Sequence, residues 1–142
     1  MSVFVIDASV VIKWFIPEVR SEAARRWLEF PHDYFAPDLV FAEVGNAMWK
    51  KVRRGELTRQ EALRLARDVP AAAVEAIPMR GLLPDAEALA LSAGVTVYDA
   101  MYVALAVRLE THAVTADDRL LRIARRHSAV SNHVRSVEDF PE

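Results

Sequence analysis

Three acidic residues stand alone inside apolar runs: Asp7 in VFVIDASVVI, Glu43 in LVFAEVGNAMW and Asp99 in VTVYDAMYVALA. Their neighbours are core residues by type, so each carboxylate is expected to be wholly or partly withdrawn from water. A carboxylate placed there must be paired, bound to a cation or neutralised by a raised pKa, and basic residues are scarce around all three. A fourth acid, Asp117 in AVTADDRL, falls at the carboxyl end of a candidate strand, the edge at which open α/β sheets bind ligands. Asp118 doubles this acid, and the position directly after Val114, Thr115 and Ala116 favours Asp117.

Each aspartate has a plainer explanation. Asp7, Asp99 and Asp117 can all be helix N-caps, whose side chains accept hydrogen bonds from backbone N–H groups of the first turn. Glu43 lies inside a helical pattern and caps nothing. The four are too far apart in sequence to pair locally, so only the fold can bring them together. If they converge, their mutual repulsion demands a hard divalent cation, and an all-oxygen site suits Mg2+ or Mn2+. One or two such ions can activate water, hold a phosphodiester in line and neutralise the leaving oxygen without a side-chain nucleophile. The chain has no cysteine, which removes disulfides, thiolate metal sites and a cysteine nucleophile but does not hinder that chemistry.

The elements that must position these acids alternate along the chain. Val3 to Ile6 is an apolar, β-branched run of the kind covered on both faces in a parallel sheet. Ser9 is read as the cap of a short helix to Trp14 that stops before Pro17, and Ser21 to Phe30 as a helix burying Ala24, Trp27 and Leu28. A turn at Pro31 to Asp33 leads to a strand candidate at Tyr34 to Ala36. Asp38 then caps a long helix from Leu39 to Arg54, which Gly55 ends. Thr58 and Glu61 form a capping box for a helix to about Val69. Further strands are expected at Val74 to Ile77, Ala113 to Thr115 and Val134 to Val137. Helices are expected from Pro84 to Gly94, from Ala100 to Glu110 behind Asp99, and around Leu120, Leu121 and Ile123 behind Asp117 or Asp118. This alternation predicts a three-layer α/β/α fold with a mostly parallel central sheet, with residues 1–142 forming one domain.

Composition bounds the reading. A chain of 142 residues suits a single domain, and 53% hydrophobic with 27% charged residues is globular rather than disordered. The net charge of −2 gives no global positive field, so a nucleic acid would have to be caught locally. The opening segment has no basic residues, and its apolar stretch is broken by Asp7, Lys13 and Pro17, unlike a signal peptide. The longest apolar run, Ala100 to Val107, is far short of the roughly 20 residues of a membrane span. A soluble, cytoplasmic protein is expected.

Four pieces, VIDASVVIKWFIPE, APDLVFAEVGNAMW, GVTVYDAMYVALA and AVTADDRLL, resemble the PIN-domain endoribonucleases, in order and over nearly the whole chain. Within that family the resemblance is to the VapC-type toxins of type II toxin–antitoxin pairs. It implies a PIN-like fold and a Mg2+-dependent endoribonuclease, with Mn2+ a possible substitute, in which Asp7, Glu43, Asp99 and Asp117 are the metal-binding quartet. It also implies supporting roles for Ser9, Asn46 and Thr115 in orienting water or the carboxylates, RNA as substrate, a cognate antitoxin as partner, and a homodimer. The alternative is a PIN-like module that binds RNA or a partner without cleaving.

Two other readings fit poorly. A haloacid-dehalogenase-like phosphatase needs Asp-x-Asp after the first strand, where Asp7 is followed by Ala8 and Ser9. A receiver-like signalling domain needs acids clustered near that strand and a late strand-end lysine. Asn46 and Lys50 share a helix face with Glu43, so Lys50 can meet a phosphate, and Lys13 near Asp7 is the other basic candidate for substrate. The run from Lys50 to Arg54, like Arg119, Arg122, Arg125 and Arg126, otherwise reads as solvated helix surface. His32, His112, His127 and His133 have no metal-ligand spacing. Trp14, Phe15, Trp27, Met48 and Trp49 are expected mostly in the core, with any exposed subset serving as partner anchors.

Overall fold

The structure is a computed structural model and describes residues 2–141. Strands β1 (Val3–Ile6), β2 (Asp33–Pro37), β3 (Glu75–Ile77), β4 (Ala113–Thr115) and β5 (Val134–Ser136) form one sheet in the order β3-β2-β1-β4-β5. Every pairing is parallel, with Phe4 opposite Tyr34, Ile6 opposite Val114, Ala36 opposite Ala76 and Thr115 opposite Ser136. Phe4, Val5 and Ile6 are all buried, because a central parallel strand is covered on both faces and needs no polar alternation.

Eight helices flank the sheet: α1 (Ala8–Phe15), α2 (Ser21–Arg26), α3 (Leu39–Arg53), α4 (Arg59–Asp68), α5 (Leu83–Ala93), α6 (Val97–Arg108), α7 (Asp118–Ala124) and α8 (Ser128–Ser131). The chain runs outward from β1 to β3, then returns past β1 to β4 and β5. Right-handed crossovers therefore put α1 to α4 on one face and α5 to α8 on the other. In keeping with this, α1 packs on α2 and α3, α5 on α6, and α7 on α8. The direction reverses at β1, and such a switch point opens a crevice at the carboxyl ends of the strands. Asp7 follows β1 and Asp117 follows β4 at that edge.

Helix α6 has no polar face over Ala100 to Ala106, all of which are buried. The sheet covers one side of it, through β1, β2 and β4, and α5 covers another. Among the described residues no single helix is long and apolar enough to cross a membrane.

Several local details differ from expectation where a side chain has a better partner. Asp7, not Ser9, occupies the N-cap of α1, and Thr96, not Asp99, caps α6, which therefore opens at Val97 rather than Ala100. Asp38 stands at the N-cap of α3 but makes no capping bond. Its Oδ1 accepts the Met79 N–H at 3.0 Å, tying α3 to the segment after β3. The helix expected to reach Phe30 tightens into a 3-10 turn at Trp27–Glu29, leaving Leu28 44% exposed. Trp27 drives that change: it is 0% exposed, packs on Phe4, Phe30 and Phe140, and donates from Nε1 to the Val137 carbonyl at 2.7 Å. Of the five large apolar residues expected mostly in the core, Trp27 and Met48 are buried, and Trp49, 56% exposed, belongs to the exposed subset. The Thr58 and Glu61 capping box forms as expected, with bonds of 3.1 and 3.0 Å.

Trp27→Phe keeps an aromatic ring but leaves the buried Val137 carbonyl without its donor and a small void beside it. Urea unfolding should show a loss of about 2–4 kcal/mol. A loss below about 0.5 kcal/mol would mean that this bond does not anchor the C-terminal segment.

Candidate active site

The site is built outward from Asp7, which is buried at the end of β1. Its Oδ2 accepts the Ser9 hydroxyl at 2.5 Å, the Thr115 hydroxyl at 3.0 Å and, more weakly, the Ser9 N–H at 3.4 Å. The two hydroxyls are oriented in turn by backbone donors: Ser9 Oγ accepts the Ala116 N–H and Thr115 Oγ1 accepts the Asp117 N–H, each at 3.0 Å. Because an ionised carboxylate only accepts, both hydroxyls give their single protons to Asp7. None of these bonds engages Oδ1. Burial pushes the Asp7 carboxyl above its ordinary range against the lowering effect of the bonds, and the charge of Asp117 adds to the rise.

The other three acids arrive on different elements. Glu43 projects from the second turn of α3, and its Oε1 accepts the Tyr102 hydroxyl at 2.7 Å. Its pKa is raised, first by burial and then by the charge of Asp7, with the tyrosine bond opposing both. Asp117 caps α7, with Oδ1 accepting the N–H groups of Arg119 at 2.9 Å and Leu120 at 3.3 Å. Asp99 lies in the first turn of α6, three residues after its cap. Its carboxyl is pushed up to about 7, foremost by burial and then by the charges of Asp7, Asp117 and Glu43. Four carboxylates distant in sequence thus act on one another electrostatically at the carboxyl edge of the sheet.

Lys13, Lys51 and Arg20 are engaged elsewhere. Lys13 and Lys51 both pair with Glu18, at 2.7 and 2.5 Å. Burial pushes the Glu18 carboxyl up, but the bonds and charges of the two lysines outweigh it and hold the group below its usual range. Arg20 pairs with Asp118 at 2.8 Å, directing that acid away from its neighbour's role. Among the described residues, no ion pair involves Asp7, Glu43, Asp99 or Asp117. The donor set is therefore all carboxylate oxygen with uncompensated charge, which fits a hard divalent cation. Among the described residues, no three His, Asp or Glu side chains already stand in the arrangement that grips an ion.

Beside the acids lies a cleft of about 510 Å3 lined by Glu43, Asn46, Lys50 and Tyr98. The helical spacing expected for Glu43, Asn46 and Lys50 thus does put them on one surface, whereas Lys13 is turned to Glu18. Two tyrosines join the acids here. Tyr102 follows Asp99 by one helical turn on α6 and is fully buried, with its hydroxyl held protonated, chiefly by burial, so that it donates to Glu43. A phenol inside an apolar helix needs a polar partner, and that was the signal available in the sequence. Tyr98 lies exposed at the cleft.

The Asp99 carboxyl has a linked effect on stability. Its folded pKa of about 7 lies above the ordinary 3.8, so the associated stabilisation is complete below about 3.8 and lost as pH rises through 7. In chelator, the melting temperature of the wild type should fall relative to Asp99→Asn across that interval. The asparagine variant should melt higher by at least about 3 °C near pH 8. Equal melting temperatures there would show that Asp99 carries no uncompensated charge.

The PIN domain family matches residues 4–126. Ribonuclease VapC3 of Pyrobaculum aerophilum is 40% identical over 118 residues, covering 82% of this chain and 90% of that protein. The crystal structure of PAE2754 from Pyrobaculum aerophilum is similar with a TM-score of 0.66 at 24% identity, over 97% of this chain and 93% of that one. VapBC2 from Rickettsia felis, bound to a DNA fragment from their promoter, is similar with a TM-score of 0.62 at 12% identity, over 94% and 98% of the two chains. At these identities the structural likenesses speak for the fold, and the sequence matches speak for descent. The chain belongs to the PIN domain family, among its VapC proteins.

Proposed function

We propose that this chain is a divalent-cation-dependent endoribonuclease and the toxin of a toxin–antitoxin pair, with Asp7, Glu43, Asp99 and Asp117 holding Mg2+ or Mn2+. The observation that carries this reading is Asp99, on which three other carboxylates bear and which, among the described residues, makes no ion pair. The substrate class rests on the name of the sequence relative, a ribonuclease. When bound, the cation supplies Lewis acidity and charge neutralisation for in-line hydrolysis of a phosphodiester.

The chain's own groups orient that chemistry. Ser9 and Thr115 pin one oxygen of Asp7 and leave the other for the ion. Tyr102 fixes Glu43, and the α7 backbone fixes Asp117 through Oδ1. Asn46 is suited to orient water or a phosphate, Lys50 to meet a phosphate, and Lys13 to do so only by leaving Glu18. An antitoxin would inhibit by offering an arginine to the carboxylates. An apolar helix of that partner would cover the groove between α3 and α4, where Trp49 and Leu63 are more than half exposed. The exposed Leu83 and Leu91, about two turns apart on α5, offer a face for a second copy of the chain.

Pure protein should cut a pool of small RNAs in Mg2+ or Mn2+ and leave it intact in chelator. Asp117→Asn should lower the rate by about a hundredfold or more, while Asp118→Asn, whose partner is Arg20, should stay within about threefold. The reverse pattern would move the fourth acid by one residue. A folded wild type that cuts nothing in either ion would leave a binding module instead of a nuclease.

A further inference from the structure

Tyr98 sits in the first turn of α6, immediately before Asp99, and is 60% exposed. Residues 100–106 of that helix are all buried, whereas the Tyr98 ring is left in water at the cleft, where packing does not explain it. The ring shares its cleft with Glu43, one of the four acids, and with Asn46 and Lys50 of α3. Among the described residues Lys50 has no ion-pair partner, unlike its neighbour Lys51. One concave surface thus combines an acidic corner, an amide, an available ammonium group and an aromatic face.

A nucleotide offers the complement of that set: a phosphate for the ammonium group and a π-face for the ring. Aromatic side chains bind bases by stacking whatever the sequence, provided the base is out of its helix. The net charge of −2 also leaves RNA little general attraction, so a contact that does not depend on charge carries more of the affinity. We propose that Tyr98 is a stacking platform for an unpaired nucleobase beside the phosphate held at Lys50, and that it makes the site selective for single-stranded over duplex RNA. A base inside a duplex has both faces covered and cannot use the ring. This inference rests on the ribonuclease reading for its ligand class.

The test is a fluorescence-anisotropy titration, in Ca2+, with a labelled unstructured RNA of about 12 nucleotides and the same RNA annealed to its complement. Wild type should prefer the single strand. Tyr98→Ala should weaken single-strand binding by about five- to 150-fold and leave duplex binding within about twofold. Tyr98→Phe and Tyr98→Trp should restore the single-strand affinity, and the melting temperature should not move because the ring is exposed. Unchanged affinity in Tyr98→Ala, equal losses for both RNAs, or no RNA binding by the wild type would each overturn the platform; the first would leave the ring to a protein partner. The titration does not depend on cleavage. A protein that binds as described but cuts nothing contradicts the ribonuclease reading alone, whereas a nuclease indifferent to Tyr98→Ala contradicts the platform alone.

Discussion

Repulsion among four carboxylates at one edge of the sheet is the constraint around which the rest of this structure is arranged. Withdrawing a carboxylate from water is costly, and bringing a second to it costs more. The fold meets part of that cost with fixed dipoles. Two hydroxyls, themselves aimed by backbone N–H groups, hold Asp7, and a buried phenol holds Glu43. The first turn of α7 holds Asp117. Asp99 is left least relieved, with its carboxyl pushed up to about 7. What remains uncompensated is negative charge, which the proposed cation would neutralise.

Ion pairs made elsewhere leave that charge unrelieved. Glu18 takes both Lys13 and Lys51, and Asp118 takes Arg20. Had any of these cations turned to the quartet, an internal salt bridge would compete with a metal ion. The sheet topology contributes as well. Because strand order reverses at β1, acids after β1 and β4 meet residues from α3 and α6, helices that the crossovers place on opposite faces. Tyr102 spans that join, linking α6 to α3 by one hydrogen bond.

Much of this was legible in the sequence, for identifiable reasons. Unbroken apolar strands, a glycine after α5 and a capping box before α4 are local signals, and the structure agrees with them. Asp7 and Asp117 were readable both as caps and as site acids, and they are caps whose charges also reach the other acids. Asp99 reads as a cap in the sequence, but α6 opens one turn earlier, at Val97, so Thr96 takes the cap and its hydroxyl accepts the Asp99 N–H. The role of Tyr102 is not legible locally, because it depends on Glu43, a residue that only the fold brings near. The same holds for Trp27, whose partner Val137 lies at the far end of the chain and whose inward turn breaks the regular helix expected there.

Membership of the PIN domain family and the kinship with a VapC ribonuclease supply the class of protein, while the electrostatics of the carboxyl edge supply the reason such a chain would recruit a cation. The most direct test is isothermal titration calorimetry with Mn2+ in buffers of different ionisation enthalpy. A cation entering the quartet must displace the proton held by Asp99. Binding near pH 6 should therefore release close to one proton, and the release should fall toward zero near pH 8, on either side of the value of about 7. Binding with no proton release near pH 6, or no binding of Mn2+ or Mg2+ at either pH, would contradict the account.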